Sequence, residues 1–237
     1  MKSAEDFLNG EVLLIDKPLE WTSFQVVNKL RWVIRKAFKL KKIKVGHAGT
    51  LDPLATGLLV ICTGKMTKQI SIFQGQEKEY TGTMKLGGTT PSYDLETEVD
   101  ASFPTEHITE ELIYETTQKF VGKIQQYPPL FSAVKKDGKR LYEFARANEK
   151  VEIHPREIEI KSFDITSIEG LNLNFKVVCS KGTYIRSLAH DYGASLNSGA
   201  HLTALRRERI GEFNVKTALG IDEFIDSLQK SGENLSS

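Results

Sequence analysis

Between Trp21 and Gln76 the chain has ten lysines or arginines and a single acidic residue, Asp52. Nearby positive charge stabilises a carboxylate in its ionised form, so Asp52 is expected to be an anion at neutral pH. An ionised carboxylate that is held in place can act as a nucleophile. Asp52 is followed by Pro53, and Asp-Pro pairs are also common turn starters. The spacing alone leaves both interpretations open, a nucleophile and a turn.

The residues on either side of Asp52 favour a catalytic loop. Gly46, Gly49 and Gly57 allow the backbone to approach another group closely, because glycine has no side chain. Leu58–Cys62 is a continuous apolar run, which predicts a buried strand directly after the loop. A loop that presents one acid and is fixed by a buried strand suits chemistry that needs accurate positioning.

Hydrophobic periodicity predicts a mixture of strands and helices. Apolar runs, alternating or continuous, predict strands over residues 11–16, 58–62, 80–86 and 171–179. Apolar residues at helical spacing predict helices over residues 24–38, 108–121 and 184–196, and from residue 220 on. The two kinds of element do not alternate regularly. We therefore expect one α+β domain over residues 1–237, with a mixed, mostly antiparallel sheet and a polar tail over residues 231–237.

The composition is that of an ordinary globular protein, with 40% hydrophobic and 27% charged residues. No apolar run reaches the roughly 18 residues of a membrane span, and the N-terminus has no signal-peptide pattern. A cytoplasmic location without membrane contact is expected. Cys62 and Cys179 lie far apart in apolar runs, which predicts buried thiols rather than a metal site. Residues 57–66 lack the spacing of a phosphate loop, which excludes that nucleotide-binding motif.

The net charge is only +1, but the charges are unevenly distributed along the chain. Residues 94–115 are acidic, whereas residues 29–44 contain basic residues and no acid, namely Lys29, Arg31, Arg35, Lys36, Lys39, Lys41, Lys42 and Lys44. Such asymmetry predicts a basic surface that fits the phosphates of a nucleic acid. We expect further basic residues to extend it: Lys135, Lys136, Lys139, Arg140, Arg146, Arg206, Arg207 and Arg209.

Gly46–Gly57 reads GHAGTLDPLATG and resembles the signature of the TruB-type tRNA pseudouridine-55 synthases. Two further matches follow the order of that family, LIDKP at Leu14–Pro18 and KGTYIR at Lys181–Arg186. The resemblance covers about residues 10–224. It implies the pseudouridine-synthase fold with flanking helices, and an RNA-gripping insertion over about residues 127–149. It further implies a catalytic domain without the C-terminal PUA domain that relatives often carry.

The resemblance also implies an activity, the isomerisation of a uridine to pseudouridine in the T loop of tRNA, at position 55 of the tRNA. The target base is flipped into a pocket and attacked by the aspartate, and no cofactor is needed. By matching position, Asp52 is the catalytic residue and Arg186 pairs with it. The other matched substrate-binding positions are His47, Tyr80, Tyr184, Lys17, Lys68 and Leu205. The expected partner is the T arm of tRNA, bound by a monomer.

Some of these residues have ordinary alternatives. Tyr80 alternates with two apolar residues, so it could be a core tyrosine. Lys17 could be a solvated lysine at a strand end, and Arg186 could form a surface salt bridge. For the whole chain, a non-catalytic RNA-binding or RNA-folding protein would need only the basic surface. A small-molecule hydrolase would use the carboxylate and imidazole of the glycine-rich loop without the basic surface. RNA modification accounts for both features together.

Overall fold

The computed structural model describes residues 2–132, 134–136, 138–147, 149 and 151–233. The chain divides into two compact units. The residues up to Glu79 and from Arg206 on form the first unit, and Tyr80–Leu205 forms the second. The expectation of a single domain stays a prediction. None of the helices in the described ranges is long and apolar enough to cross a membrane.

The described residues form helices and strands in mixed order. The helices are α1 (Ala4–Asn9), α2 (Ser23–Ala37), α3 (Ile70–Gly75), α4 (Glu110–Gln118), α5 (Leu141–Arg146), α6 (Ile185–Ser195) and α7 (Ile221–Glu233). The strands are β1 (Val12–Lys17), β2 (Val45–His47), β3 (Ala55–Thr63), β4 (Lys78–Leu86), β5 (Gly88–Thr89), β6 (Ala101–Ser102), β7 (Gly122–Gln126), β8 (Lys135–Lys136), β9 (Lys139–Arg140), β10 (Arg156–Glu169), β11 (Asn172–Cys179), β12 (Ala200–Ile210) and β13 (Phe213–Asn214). Short 3-10 helices cover Gly64–Gln69 and Val215–Thr217.

In the first unit the strand order is β1-β3-β12, with β2 paired to β3 and β13 to β12. β1 and β3 are antiparallel, and their register places Lys17 opposite Gly57. β2 is also antiparallel to β3 and places His47 opposite Ile61. The segment between β2 and β3, which contains Asp52, is therefore attached at both ends to a strand of this sheet.

β3 is buried on both faces, which explains why its sequence is a continuous apolar run. Successive side chains of a strand point to opposite faces. Leu59 and Ile61 pack with apolar side chains of α1, α2 and α7. Leu58 and Val60 pack on the other side with Ile210 of β12. Each such side chain contributes about 1.5–3 kcal/mol when buried, so β3 is a rigid base for the segment that precedes it.

In the second unit the strands β4, β11, β10 and β7 are neighbours in that order. The β10–β11 and β10–β7 pairs are antiparallel. Helices α4 and α6 are joined at Tyr192, whose hydroxyl donates a 2.6 Å hydrogen bond to the carbonyl of Ile113. The rings of Phe120 and Phe163 lie against the same tyrosine, with centroids 5.9 and 5.4 Å from its own. This packing fixes α6, whose first turn carries Arg186.

These elements confirm the predicted fold class, a mostly antiparallel sheet with flanking helices. Thr22 caps α2 in a reciprocal capping box with Gln25, and Thr109 caps α4. Both helices lie within the predicted ranges to a few residues, because capping residues and apolar spacing are local signals. Cys62 and Cys179 are buried thiols, as predicted, and neither is part of a disulfide.

α2 ends at Ala37, in agreement with the predicted range, so only the first half of the basic segment 29–44 is helical. Lys39 beyond it has a φ of 52°, which is not a helical value. Other expectations need correction. β10 and β12 were not predicted. α7 runs to Glu233, past the predicted start of the tail, and residues 234–237 lie outside the described part. The expected insertion over about residues 127–149 contains β8, β9 and α5, but Ala133, Asp137 and Asn148 within it are not among the described residues.

Candidate active site

Residues 48–54, between β2 and β3, carry Asp52 and are called the Asp52 loop below. Ser23, at the start of α2, holds the residue before the aspartate from both sides. Its Oγ accepts a 2.8 Å hydrogen bond from Leu51 N and donates one of 3.1 Å to Leu51 O. Ala55 N donates a 3.1 Å bond to Asp52 O. Asp52 is half-buried, so its backbone is fixed while its side chain stays partly accessible.

Lys17 holds the residue after the aspartate. Its side chain is fully buried, and its Nζ donates hydrogen bonds to the carbonyls of Pro53 at 3.3 Å, Pro18 at 2.9 Å and Trp21 at 2.6 Å. Burial lowers the pKa of Lys17 to about 8, and the charge of Asp52 partly opposes this shift. The interpretation of Lys17 as a solvated lysine is wrong. It is a buried anchor within electrostatic range of Asp52.

Arg207 of β12 holds the loop from another side. It is 1% exposed, and its Nε donates a 2.8 Å hydrogen bond to the carbonyl of Leu58. Its Nη2 and Nη1 donate to the carbonyls of Gly49 at 3.0 Å and Thr50 at 3.4 Å. The guanidinium thus connects the start of the Asp52 loop to β3, the strand that follows it.

His47 ends β2, directly before the Asp52 loop, and is half-buried. Burial lowers the pKa of His47, and the charge of Arg207 lowers it further. The imidazole is therefore neutral at neutral pH. A neutral flat ring suits contact with an uncharged base better than contact with a phosphate. Lys68, another predicted site residue, lies exposed on the 3-10 helix Gly64–Gln69 of the same unit.

The remaining predicted site residues belong to the second unit. Tyr80 is 8% exposed in β4, on the same side as the other buried residues of that strand, as its alternation predicted. Tyr184 is the N-cap of α6 and exchanges two backbone hydrogen bonds with the Gln126 side chain, at 2.8 and 3.0 Å. Leu205 is half-buried in β12.

Arg186 is 3% exposed, so the alternative of a surface salt bridge is wrong. Its Nη1 and Nη2 donate hydrogen bonds to the carbonyls of Ser92 at 3.1 Å and Phe131 at 3.0 Å. Its Nε lies 3.6 Å from Asp94 Oδ2, in a buried ion pair. Arg186 therefore organises the loop over residues 89–94. Its pairing with Asp52 stays a prediction.

The chain is similar in sequence and in fold to known proteins. Residues 35–185 match the family model of the TruB family pseudouridylate synthases (N terminal domain), which is more than half of the chain. The chain belongs to this family. It is therefore a pseudouridine synthase, an enzyme of the isomerase class. A protein of Flavobacterium johnsoniae named tRNA pseudouridine synthase B is 63% identical over 95% of this chain and 99% of its own length. A protein of the same name from Phocaeicola vulgatus is 54% identical over 95% of this chain and 96% of its own length.

Solved structures give the same result for the fold of this synthase. The crystal structure of a Cbf5-Nop10-Gar1 complex contains a chain with a TM-score of 0.71 and 31% identity, matched over 95% of this chain. A structure of an H/ACA RNP bound to a substrate RNA containing 2'-deoxyuridine contains a chain with a TM-score of 0.69 and 28% identity, matched over 96% of this chain. In both cases this chain spans 56% of the matched chain.

The expectation that three arginines of β12 extend the basic surface of the synthase is wrong. Arg207 is buried. Arg206 makes a two-pronged pair with Asp16, with nitrogen to oxygen distances of 3.0 and 2.6 Å. Arg209 pairs with Glu77 at 2.7 Å and Glu79 at 3.5 Å. Acids distant in sequence thus engage the charges of Arg206 and Arg209 inside the first unit.

Two residues that position the Asp52 loop were missed or misassigned in the sequence analysis. Ser23 was not among the predicted site residues, and nothing in the sequence signals that its hydroxyl would bond a residue 28 positions later. Arg207 was assigned to the surface, because a run of three basic residues in four suggests solvent exposure. A strand prediction for this segment would have placed Arg206 and Arg207 on opposite faces.

We predict that Lys17→Met lowers the free energy of unfolding by about 2–4 kcal/mol, because three part-buried hydrogen bonds from a charged donor are lost. Methionine has nearly the same length but donates no hydrogen bond. The matched control is Lys68→Met, which changes an exposed lysine of the same unit. Chemical denaturation of the three proteins measures the difference. Equal losses in both variants, or no loss in either, would show that Lys17 does not anchor the loop.

Proposed function

We propose that this pseudouridine synthase acts on tRNA, and converts the uridine at position 55 of the T loop with Asp52 as its nucleophile. The main support is the bonding of the Asp52 loop, in which the residues on both sides of the aspartate are held by Ser23 and Lys17. The names of the related proteins from Flavobacterium johnsoniae and Phocaeicola vulgatus support tRNA as the substrate.

The reaction rearranges bonds within one nucleotide. The bond between uracil N1 and ribose C1′ breaks, the base turns, and a bond forms between C5 and C1′. The proton on C5 leaves to solvent and N1 gains one, so atoms and charge balance without water, oxidant or group donor. The Asp52 carboxylate attacks the sugar or the base and leaves again when the new bond forms. One positioned carboxylate is sufficient for this sequence of steps.

The uracil must leave the stacked T loop before it can react. Base flipping costs a few kcal/mol, which contacts with rings in the pocket offset. We assign this contact to His47, whose imidazole is neutral at neutral pH for the reasons given above, and to Tyr80. Arg186 is assigned to orient Asp52, because a guanidinium can bind a carboxylate in a two-pronged contact.

The exposed face of α2 is assigned to the RNA backbone. Residues 21–51 contain no acid, so α2 itself contributes only basic charge to this face, which complements phosphates. Trp32 is 55% exposed, and the Nζ atoms of Lys29 and Lys36 lie 5.6 and 5.0 Å from the centroid of its ring. Trp32 is nine residues along the helix from Ser23, about 13 Å at the usual rise. A stem joined to the flipped loop would reach this face.

We predict that Asp52→Asn abolishes turnover, with a loss of at least about a thousandfold, because the amide has the same shape but is not a nucleophile. Tritium release from a T-arm hairpin that contains [5-³H]uridine measures the rate, since the C5 proton must leave. Hairpin affinity should stay within about threefold, because the loop backbone does not change. Asp222→Asn, an exposed aspartate of α7, is the matched control and should keep the parent rate.

A turnover of Asp52→Asn within tenfold of the parent would contradict the nucleophile assignment. Hairpin binding without any tritium release by the parent protein would favour the alternative, an RNA-binding or RNA-folding protein. Release of tritium from free uridine at a rate equal to that from the hairpin would place the activity among small-molecule enzymes.

We also predict that the double variant Lys29→Gln/Lys36→Gln binds the hairpin less tightly and with a weaker salt dependence. The slope of log K against log salt should fall by about 1.4–1.8, because each phosphate contact contributes about 0.7–0.9. The matched control is Lys85→Gln/Lys119→Gln, which removes two exposed lysines of the second unit. Equal slopes in the two double variants would show that α2 does not contact the RNA.

A further inference from the structure

A buried arginine usually faces a carboxylate, because an isolated buried charge is costly. Arg207 is 1% exposed, and within the described part of the chain its hydrogen bonds all end on backbone carbonyls. Two of these carbonyls, of Gly49 and Thr50, precede Asp52, and the third, of Leu58, follows it. One rigid guanidinium therefore joins the two sides of the loop that carries the nucleophile.

The backbone around Arg207 is shaped to fit this contact. Gly57 has a φ of 101°, and a side chain there would lie 2.4 Å from the carbonyl oxygen and 2.7 Å from the nitrogen of Arg207. Gly49 has a φ of 111°, and a Cβ there would lie 3.5 Å from Arg207 Nη1. Both values of φ are in the region that favours glycine. Gly57 thus lets the backbone of β12 approach closely, whereas at Gly49 a Cβ would have room and it is the backbone conformation that favours glycine.

We propose that Arg207 is a positioning residue for catalysis, which sets the direction of the Asp52 side chain by fixing the carbonyls of Gly49, Thr50 and Leu58. This role rests on the proposed function of Asp52 as nucleophile. In this positioning role, Arg207 itself contacts neither the substrate nor the reacting atoms. The three contacts use three different nitrogens of one rigid guanidinium, Nε, Nη1 and Nη2. The ammonium of lysine has all its N–H groups on a single nitrogen, so it cannot occupy these three positions at once.

The rival explanation is that Arg207 only stabilises the first unit. A general stabiliser would affect catalysis through the fraction of folded protein, and its loss would loosen the whole unit. A positioning residue would affect kcat in protein that is fully folded, and its loss would loosen the Asp52 loop selectively. These expectations differ in two measurable quantities, the division between kcat and KM and the local rate of amide exchange.

The test compares Arg207→Lys with Arg209→Lys, both in β12. Arg209 bonds to the side chains of Glu77 and Glu79 and not to the Asp52 loop, so it controls for loss of an arginine from this strand. At a temperature where circular dichroism shows both variants folded, we expect Arg207→Lys to lose at least about a hundredfold in kcat on the T-arm hairpin. The KM of Arg207→Lys should stay within about threefold of the parent value. For Arg209→Lys, both kcat and KM should stay within about threefold of the parent values.

Hydrogen–deuterium exchange gives a readout that is independent of activity. In Arg207→Lys, peptides that cover residues 48–55 should exchange at least about tenfold faster than in the parent, whereas peptides from the interior of α2 should not change. An increase over the whole first unit, or an Arg207→Lys protein without native circular dichroism at 10 °C, would show a general folding role and overturn the proposal. Parent-like kcat would also overturn it.

The result can be separated from the test of the proposed function. If Asp52→Asn keeps its activity, the nucleophile assignment fails whatever Arg207→Lys does. If Asp52→Asn is inactive while Arg207→Lys has parent-like kcat and exchange, the function stands and only the positioning role fails.

Discussion

The carbonyl groups on and beside the Asp52 loop need hydrogen-bond donors where they are removed from water, because an unpaired buried polar group costs about 1–3 kcal/mol. Lys17 supplies donors to three of them and Arg207 to three more. Both side chains are buried, and both donate hydrogen bonds to backbone carbonyls. Carbonyl dipoles satisfy the hydrogen bonds of a cation but do not cancel its charge. The loop is therefore fixed and set in positive potential at the same time.

This arrangement depends on the sheet beneath it. The β1–β3 register places Lys17 opposite Gly57, at the point where β3 leaves the loop. β3 is buried on both faces by separate apolar clusters, and its burial offsets the unfavourable desolvation of two cations. β12 lies on the other side of β3 and brings Arg207 to the same place. Packing in the core thus determines the geometry of the Asp52 loop, while the side chain of Asp52 must stay accessible.

Local signals in the sequence were sufficient for much of this fold. Thr22 and the apolar spacing after it specify α2, and the apolar run 58–62 specifies β3, since capping and periodicity depend on near neighbours. The resemblance of Gly46–Gly57 to a family signature identified the loop. The partners of Arg206 and Arg207 could not be predicted, because Asp16 and Gly49 are more than 150 residues away in sequence. Such contacts follow from strand order, which periodicity does not give.

We propose that the fixed Asp52 acts on one flipped uridine of the T loop. Mapping of pseudouridine at single-nucleotide resolution tests this directly, by incubating the protein with an unmodified full-length tRNA transcript and locating carbodiimide adducts by primer extension. We predict one new stop, which corresponds to uridine 55 and approaches one pseudouridine per tRNA. Pseudouridine mainly at another position, or at many uridines with similar yield, would contradict the assignment of this loop to the T-loop uridine.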